Sequence, residues 1–189
     1  MGSIPDTELV LRAQKGDTGA FTELAAKYQF RIYKTLLALT GNHMDADDLA
    51  QEAFMKAYKS LGGFKRQAGF YTWIYRIAVN LAMNMLNRRN MAQKHLGSAE
   101  AGLDGILGGS QILPEKQSLR RELRLKLKKA IDDLPPIYRV SFILVAIEGM
   151  SHQQASEVLA CSEKTVSWRM HKARKMLQAR LRNYVGERP

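Results

Sequence analysis

Arg76, Asn80, Asn84 and Asn87 fall on one face of any helix drawn through this stretch, and asparagine is a poor helix former, so three on one stripe ask for a purpose beyond solubility. Asparagine amides hydrogen-bond base edges, and the preceding residues interleave rings with cations: Phe64, Lys65, Arg66, Phe70, Tyr71, Trp73 and Tyr75. Aromatic rings stack on bases taken out of a duplex, so this stretch has the makings of a single-strand DNA site. The competing reading is that Phe70 and Trp73, at helical spacing, are core.

A second constellation lies near the end of the chain. Lys164, Thr165, Ser167, Trp168, Arg169, His171, Lys172 and Lys175 occupy one helical segment in which Glu163 is the single acid. Such side chains suit guanine edges and phosphates in a major groove; the alternative is a basic surface helix. A third constellation has the opposite sign. Asp45, Asp47, Asp48 and Glu52 repel phosphate, so their face is either solvated or meets a protein.

The elements that must carry these groups are helices. No clear strand alternation appears, and apolar periodicity predicts helices over residues 6–15, 18–39, 45–61, 70–89, 115–132, 135–148, 151–159 and 162–184. Gly41 suits a left-handed cap, and Ser151 followed by Gln154 has the form of a capping box. Phe70, Ile74, Ile77 and Leu81 are the expected buried stripe of the fourth helix. Ala155, Val158 and Leu159 are expected to pack on Val166, Met170, Ala173 and Leu177 across the tight turn Ala160-Cys161-Ser162, which makes a helix-turn-helix.

Periodicity fades between residues 91 and 114, where Gly97, Gly102, Gly105, Gly108 and Gly109 accumulate. The fold class is therefore all-α, with two small helical domains (1–90 and 115–189) and a linker at 91–114. A flexible linker of ~24 residues spans roughly 25 to 30 Å on average and about 80 Å when extended, enough to set two domains on separated points of one duplex.

The chain has 189 residues, 46% hydrophobic and 25% charged, with net charge +11. The charge is unevenly placed: residues 62–96 hold six basic and no acidic side chains, residues 149–189 are net +5, and residues 97–114 are net −2. Two basic stretches fit a polyanion touched at two places, or two solvated faces. Apolar runs are too short for a membrane span, and the first residues lack the pattern of a secretion signal, so a cytoplasmic location is expected. Cys161 is the only cysteine and matches none of the four histidines at a zinc-ligand spacing. No metal, cofactor or small-molecule substrate is expected. Without a nucleophile-base pairing, a phosphate-cradling glycine loop or a metal cluster, neither is enzyme chemistry.

Taken together, these residues resemble an extracytoplasmic-function (ECF) RNA polymerase sigma factor of the sigma-E-like subgroup, over nearly the whole chain. DADDLAQEAFMKAYKSL (45–61) resembles the region-two segment that grips the coiled coil of the largest core polymerase subunit. FYTWIYRIAVNLAMNML (70–86) resembles the helix that opens and reads the minus-ten element, and the loop before it resembles the one that captures a flipped base. LPPIYRVSFILVAIEGMSHQQASEVLACSEKTVSWRMHKARKML (134–177) resembles region four, which reads the minus-thirty-five element.

The resemblance implies core-polymerase contacts at Asp45, Asp48, Gln51 and Glu52, and minus-ten contacts at Lys65, Arg66, Phe70, Tyr71, Arg76, Asn80 and Asn84. It implies minus-thirty-five contacts at Lys164, Thr165, Ser167, Trp168, Arg169, His171 and Lys172. Core RNA polymerase (coiled coil and flap), promoter DNA and an anti-sigma factor are the implied partners, the last a possible indirect tether to a membrane. Where the family pattern is Pro-Val-Gly-Thr-Val-Arg-Ser-Arg, this chain has Ser162 to Arg169, departing at Lys164, Ser167 and Trp168. The rival expectation is a stand-alone helix-turn-helix regulator.

Overall fold

A computed structural model of the chain describes residues 4–65, 69–96 and 114–185. Among them there is no strand. The helices are α1 (Asp6–Gln14), α2 (Thr18–Thr40), α3 (His43–Ser60), α4 (Phe70–Leu96), α5 (Pro114–Asp132), α6 (Pro136–Phe142), α7 (His152–Leu159) and α8 (Glu163–Val185). A 3-10 turn, Leu61–Gly63, follows α3, and a π-helical turn, Ile143–Ile147, continues α6.

Local chemistry sets the ends. The Asp17 side chain accepts from the Ala20 N–H at 3.0 Å and opens α2. That amide first, and then Arg12, hold its carboxyl below the ordinary value. Gly41 closes α2 at φ +71°, where a Cβ would be strained. Helix α3 starts at His43, two residues before the expected Asp45, because the Asn42 side chain accepts from the Asp45 N–H at 3.1 Å and makes Asn42 the cap. The capping box of α7 is complete: Gln154 N–H donates to Ser151 Oγ at 3.1 Å, and Ser151 N–H donates to Gln154 Oε1 at 3.0 Å. Replacing Ser151 with alanine removes the first of these bonds and leaves the second, whose donor is the backbone N–H; we expect a loss of about 1 kcal/mol, seen as a thermal midpoint lower by roughly 2–4 °C.

The first four helices bury one core. Leu24, Tyr28, Ile32, Leu36 and Leu39 of α2 meet Ala46, Leu49, Ala50, Ala53 and Ala57 of α3, whose small side chains admit a close approach. On α4 the buried set is Phe70, Thr72, Ile74, Tyr75, Ala78, Val79, Ala82 and Leu86, whereas Ile77 and Leu81, expected in the buried stripe, are half-buried. The stripe is turned from its expected position because α4 is covered on more than one side. Helices α2 and α3 lie against it, and so does α7, from the second half of the chain.

Val140, Ile143, Leu144, Met150, Ala155, Val158, Val166 and Met170 accordingly belong to the same continuous core as the first four helices. The two halves, expected as two small helical domains, are packed against one another here. A smaller cluster, Ala130, Leu134, Ala173 and Leu177, joins α5, α6 and α8. The four residues of the expected α8 stripe are all buried, but they divide between two clusters: Val166 and Met170 in the large core, Ala173 and Leu177 in the small one.

Glu148, just after the π turn, ties the halves together with polar contacts. Its side chain is 10% exposed and lies 3.5 Å from the Arg31 guanidinium of α2. The Tyr75 hydroxyl of α4 donates to Glu148 Oε2 at 2.7 Å, and Arg31 also donates to the Glu148 carbonyl at 3.3 Å.

Candidate nucleic-acid and protein interfaces

Three exposed surfaces carry the residues singled out above. On α3, Asp48, Gln51 and Glu52 are exposed on one face, and Met44 (77% exposed) and Met55 (59%) share it at helical spacing. Gln51 donates to Asp47 at 3.0 Å, and Lys56 pairs with Glu52 at 2.9 Å one turn on. A carboxylate face with two bare thioether side chains suits a protein partner, because methionine adapts to an irregular apolar surface. Sequence reading passed over the two methionines; their signal was the spacing Met44, Asp48, Gln51, Met55.

Asp45 stands apart from this face. Its carboxylate receives both terminal nitrogens of Arg89, at 2.6 and 2.7 Å, and its side chain is only 17% exposed. The same bond, foremost, raises the Arg89 pKa above its ordinary value. Asp45, a polymerase candidate in the sequence, thus also clasps α3 to α4.

The second surface is α4 with the residues before it. Lys65, Arg76, Asn80, Asn84 and Asn87 are all exposed, and the last four form a continuous polar stripe along the helix. Arg66 lies outside the described residues. Gln14 pins the entry to α4: its amide donates to the carbonyls of Leu61 at 2.9 Å and Phe64 at 3.0 Å.

The aromatics before the stripe are structural. Phe70 is 3% exposed, with ring centroids of Tyr28 at 5.8 Å and Trp73 at 5.7 Å, and Phe64 lies 4.7 Å from Trp73. Phe70 is therefore a core residue, as its place in the expected buried stripe had it, and no platform for a base, which corrects its place among the minus-ten candidates. Tyr71 is half-buried, with its ring 4.6 Å from Tyr75 and beneath the Arg31 guanidinium at 5.0 Å. Its hydroxyl accepts from Arg31 at 3.2 Å, so only its margin is left for a ligand.

The third surface is α8. Lys164, Ser167, Trp168, His171, Lys172 and Lys175 are exposed on it, while Thr165 and Arg169 are half-buried. Thr165 belongs to the cap, since its N–H donates to Ser162 Oγ at 3.1 Å and the two hydroxyls lie 2.9 Å apart. Arg169 reaches back to Cys161 Sγ at 3.9 Å across the turn. Ser167 is bonded to His152 Nδ1 on α7 at 2.8 Å, and Trp168 meets Tyr138 of α6 edge to face at 5.8 Å. His152 and Tyr138, which sequence reading did not mark, thus hold two side chains of the α8 face.

Among the described residues, no helix is long and apolar enough to cross a membrane, and no group of three or more His, Cys, Asp or Glu side chains stands ready for a metal.

Family models match the chain twice: Sigma-70 region 2 over residues 24–91 and Sigma-70, region 4 over residues 124–177. The RNA polymerase sigma-H factor of Pseudomonas aeruginosa is 34% identical over 186 residues, covering 96% of each chain. The ECF RNA polymerase sigma-E factor of Escherichia coli is 33% identical over 188 residues, covering 96% of this chain and 97% of that one. Among solved structures, CnrH in complex with the cytosolic domain of CnrY superposes with a TM-score of 0.70 at 25% identity, covering 94% of this chain and 97% of that one.

Proposed function

Because the chain belongs to the extracytoplasmic-function RNA polymerase sigma factors, a group that directs polymerase to promoters, we propose a division of labour among its three surfaces. The α3 face, with Asp48, Gln51, Glu52 and the two methionines, grips core RNA polymerase. The α4 stripe of Arg76, Asn80 and Asn84, with Lys65 and Arg66 before it, holds the opened minus-ten strand. The α8 face reads the minus-thirty-five element in the major groove. Residues 1–90 and 115–189 are the two functional domains, with 91–114 the linker between them.

The observation that carries this reading is the α4 stripe: a cation and three amides, all exposed on one side of a helix whose other sides are buried or half-buried through Leu86. Promoter melting on such a stripe is a binding event in which freed bases exchange pairing partners for amides, and the chain performs no bond chemistry itself. The stand-alone regulator accounts for α8 alone, whereas the family matches extend over both segments.

The chain works in the cytoplasm. Its inhibitory partner is an anti-sigma factor; CnrH, which shares the fold, is likewise held by another protein, the cytosolic domain of CnrY. Exposed apolar side chains on the second half, among them Leu123, Leu125 and Ile147, are available to such a partner.

The test of the melting role is Asn80→Ala. Losing one amide–base contact is worth about 1–3 kcal/mol, so open-complex formation, followed by permanganate reactivity of unpaired thymines, should fall by roughly tenfold while polymerase binding is unchanged. Unchanged melting would remove base capture from this helix.

A further inference from the structure

Trp168 is the anomaly of the α8 face. Its neighbours there, Lys164, Ser167, His171, Lys172 and Lys175, are polar or charged, yet a large indole stands among them 51% exposed. By helical spacing it lies opposite the buried residues Val166, Met170, Ala173 and Leu177, at the centre of the exposed face of α8. It is also held in place. The Tyr138 ring meets it at 5.8 Å with an interplanar angle of 61°, and the Lys172 ammonium stands 5.9 Å from the ring centre. Two braces on an exposed apolar side chain fix the position of a surface that water would rather not touch.

In a duplex the bases are stacked, so a side chain entering the major groove meets their edges and not their faces. Among those edges the only apolar group is the 5-methyl of thymine; the rest are hydrogen-bond donors and acceptors. Resting on the reading of α8 as the upstream recognition helix, we propose that Trp168 selects thymine in the upstream element by packing its indole on the 5-methyl group, with Tyr138 as the positioning residue. Ser167, held by His152 at 2.8 Å, is drawn toward α7 and leaves the centre of the face to the indole. Burying one methyl group corresponds to about a fourfold preference.

The test uses the full chain assembled with core polymerase and two duplex promoter libraries randomised in the upstream element. One library carries thymidine and the other deoxyuridine, which lacks only the methyl group. Wild-type holoenzyme should enrich thymidine at one position about fourfold over deoxyuridine. Trp168→Ser should abolish that difference, and Tyr138→Leu, which keeps an apolar side chain beside α8, should reduce it.

Equal enrichment from both libraries would overturn the proposal, as would a methyl preference that survives in Trp168→Ser. If Trp168→Ser weakens binding to all sequences alike, the indole serves the phosphates and the proposal also fails. An undiminished preference in Tyr138→Leu would remove the brace from it. A holoenzyme that enriches no promoter from either library would remove the sigma function along with this inference; promoters enriched without methyl dependence would remove the inference alone.

Discussion

Replacing Glu148 with alanine should lower the thermal midpoint by roughly 4–8 °C, a loss of about 2 kcal/mol. The carboxylate is the meeting point of the two halves of the chain: it accepts from Tyr75 at 2.7 Å and lies 3.5 Å from Arg31. Tyr75 is fully buried, so its hydroxyl would lose a charged acceptor. Arg31 is half-exposed and recovers much of its loss in water, which keeps the figure below that of a fully buried pair. Glu148→Gln, whose amide oxygen still accepts from Tyr75, should cost about half as much.

Hydrogen exchange locates the effect. Amides of α7 should exchange faster in Glu148→Ala, because this contact helps to seat the second half of the chain on α4. An unchanged midpoint with unchanged α7 protection would show that the apolar core alone holds the halves together.

Alkaline pH should act on the same junction. Burial, first of all, raises the phenols of Tyr75, Tyr28 and Tyr71 above their ordinary value. Folding thus favours the neutral phenol. Its contribution is complete below pH about 10, the unfolded value, and is lost as pH rises through the higher folded values. The stability gap between wild type and Tyr75→Phe should therefore change above pH about 10 and be flat below it.

The second large effect belongs to α3. The double substitution Asp48→Ala, Glu52→Ala removes two carboxylates from the exposed face and leaves the buried alanine row of α3 untouched. Affinity for core polymerase should fall about 30-fold, corresponding to ~2 kcal/mol for a charged centre of an interface, with the thermal midpoint unchanged. Asp45→Ala should show the reverse balance, because it frees Arg89 and loosens α3 from α4. Equal losses of affinity from both variants would place Asp45 in the grip after all.

The contrast between Asp45 and Asp48 shows what was legible in the sequence. Both are acids near the start of one helix, and only the pairing with Arg89, 44 residues on, separates them. The caps at Gly41 and Ser151 could be read because their partners lie within a few residues. Spacing likewise placed Arg76, Asn80 and Asn84 on one exposed face.

Ring contacts were not legible in the same way. Phe70 and Tyr71 sit among cations in the sequence, and that neighbourhood suggested a platform. Spacing with Ile74 marked Phe70 for the core, but the partners Tyr28 and Arg31 come from α2, so nothing local showed what covers the two rings. The packing of the two halves was hidden for the same reason, since Arg31 and Glu148 are 117 residues apart. A glycine-rich segment reads as a spacer whether the bodies it joins are apart or together.

The most direct test of the central claim is initiation by bacterial core RNA polymerase on linear duplex DNA with a randomised promoter region, with and without the full chain. The chain should confer initiation from a shared pair of spaced elements, and Asp48→Ala, Glu52→Ala should abolish most of it. Binding of duplex DNA by the chain alone, with core polymerase left without specific initiation, would overturn its assignment as the promoter-reading subunit.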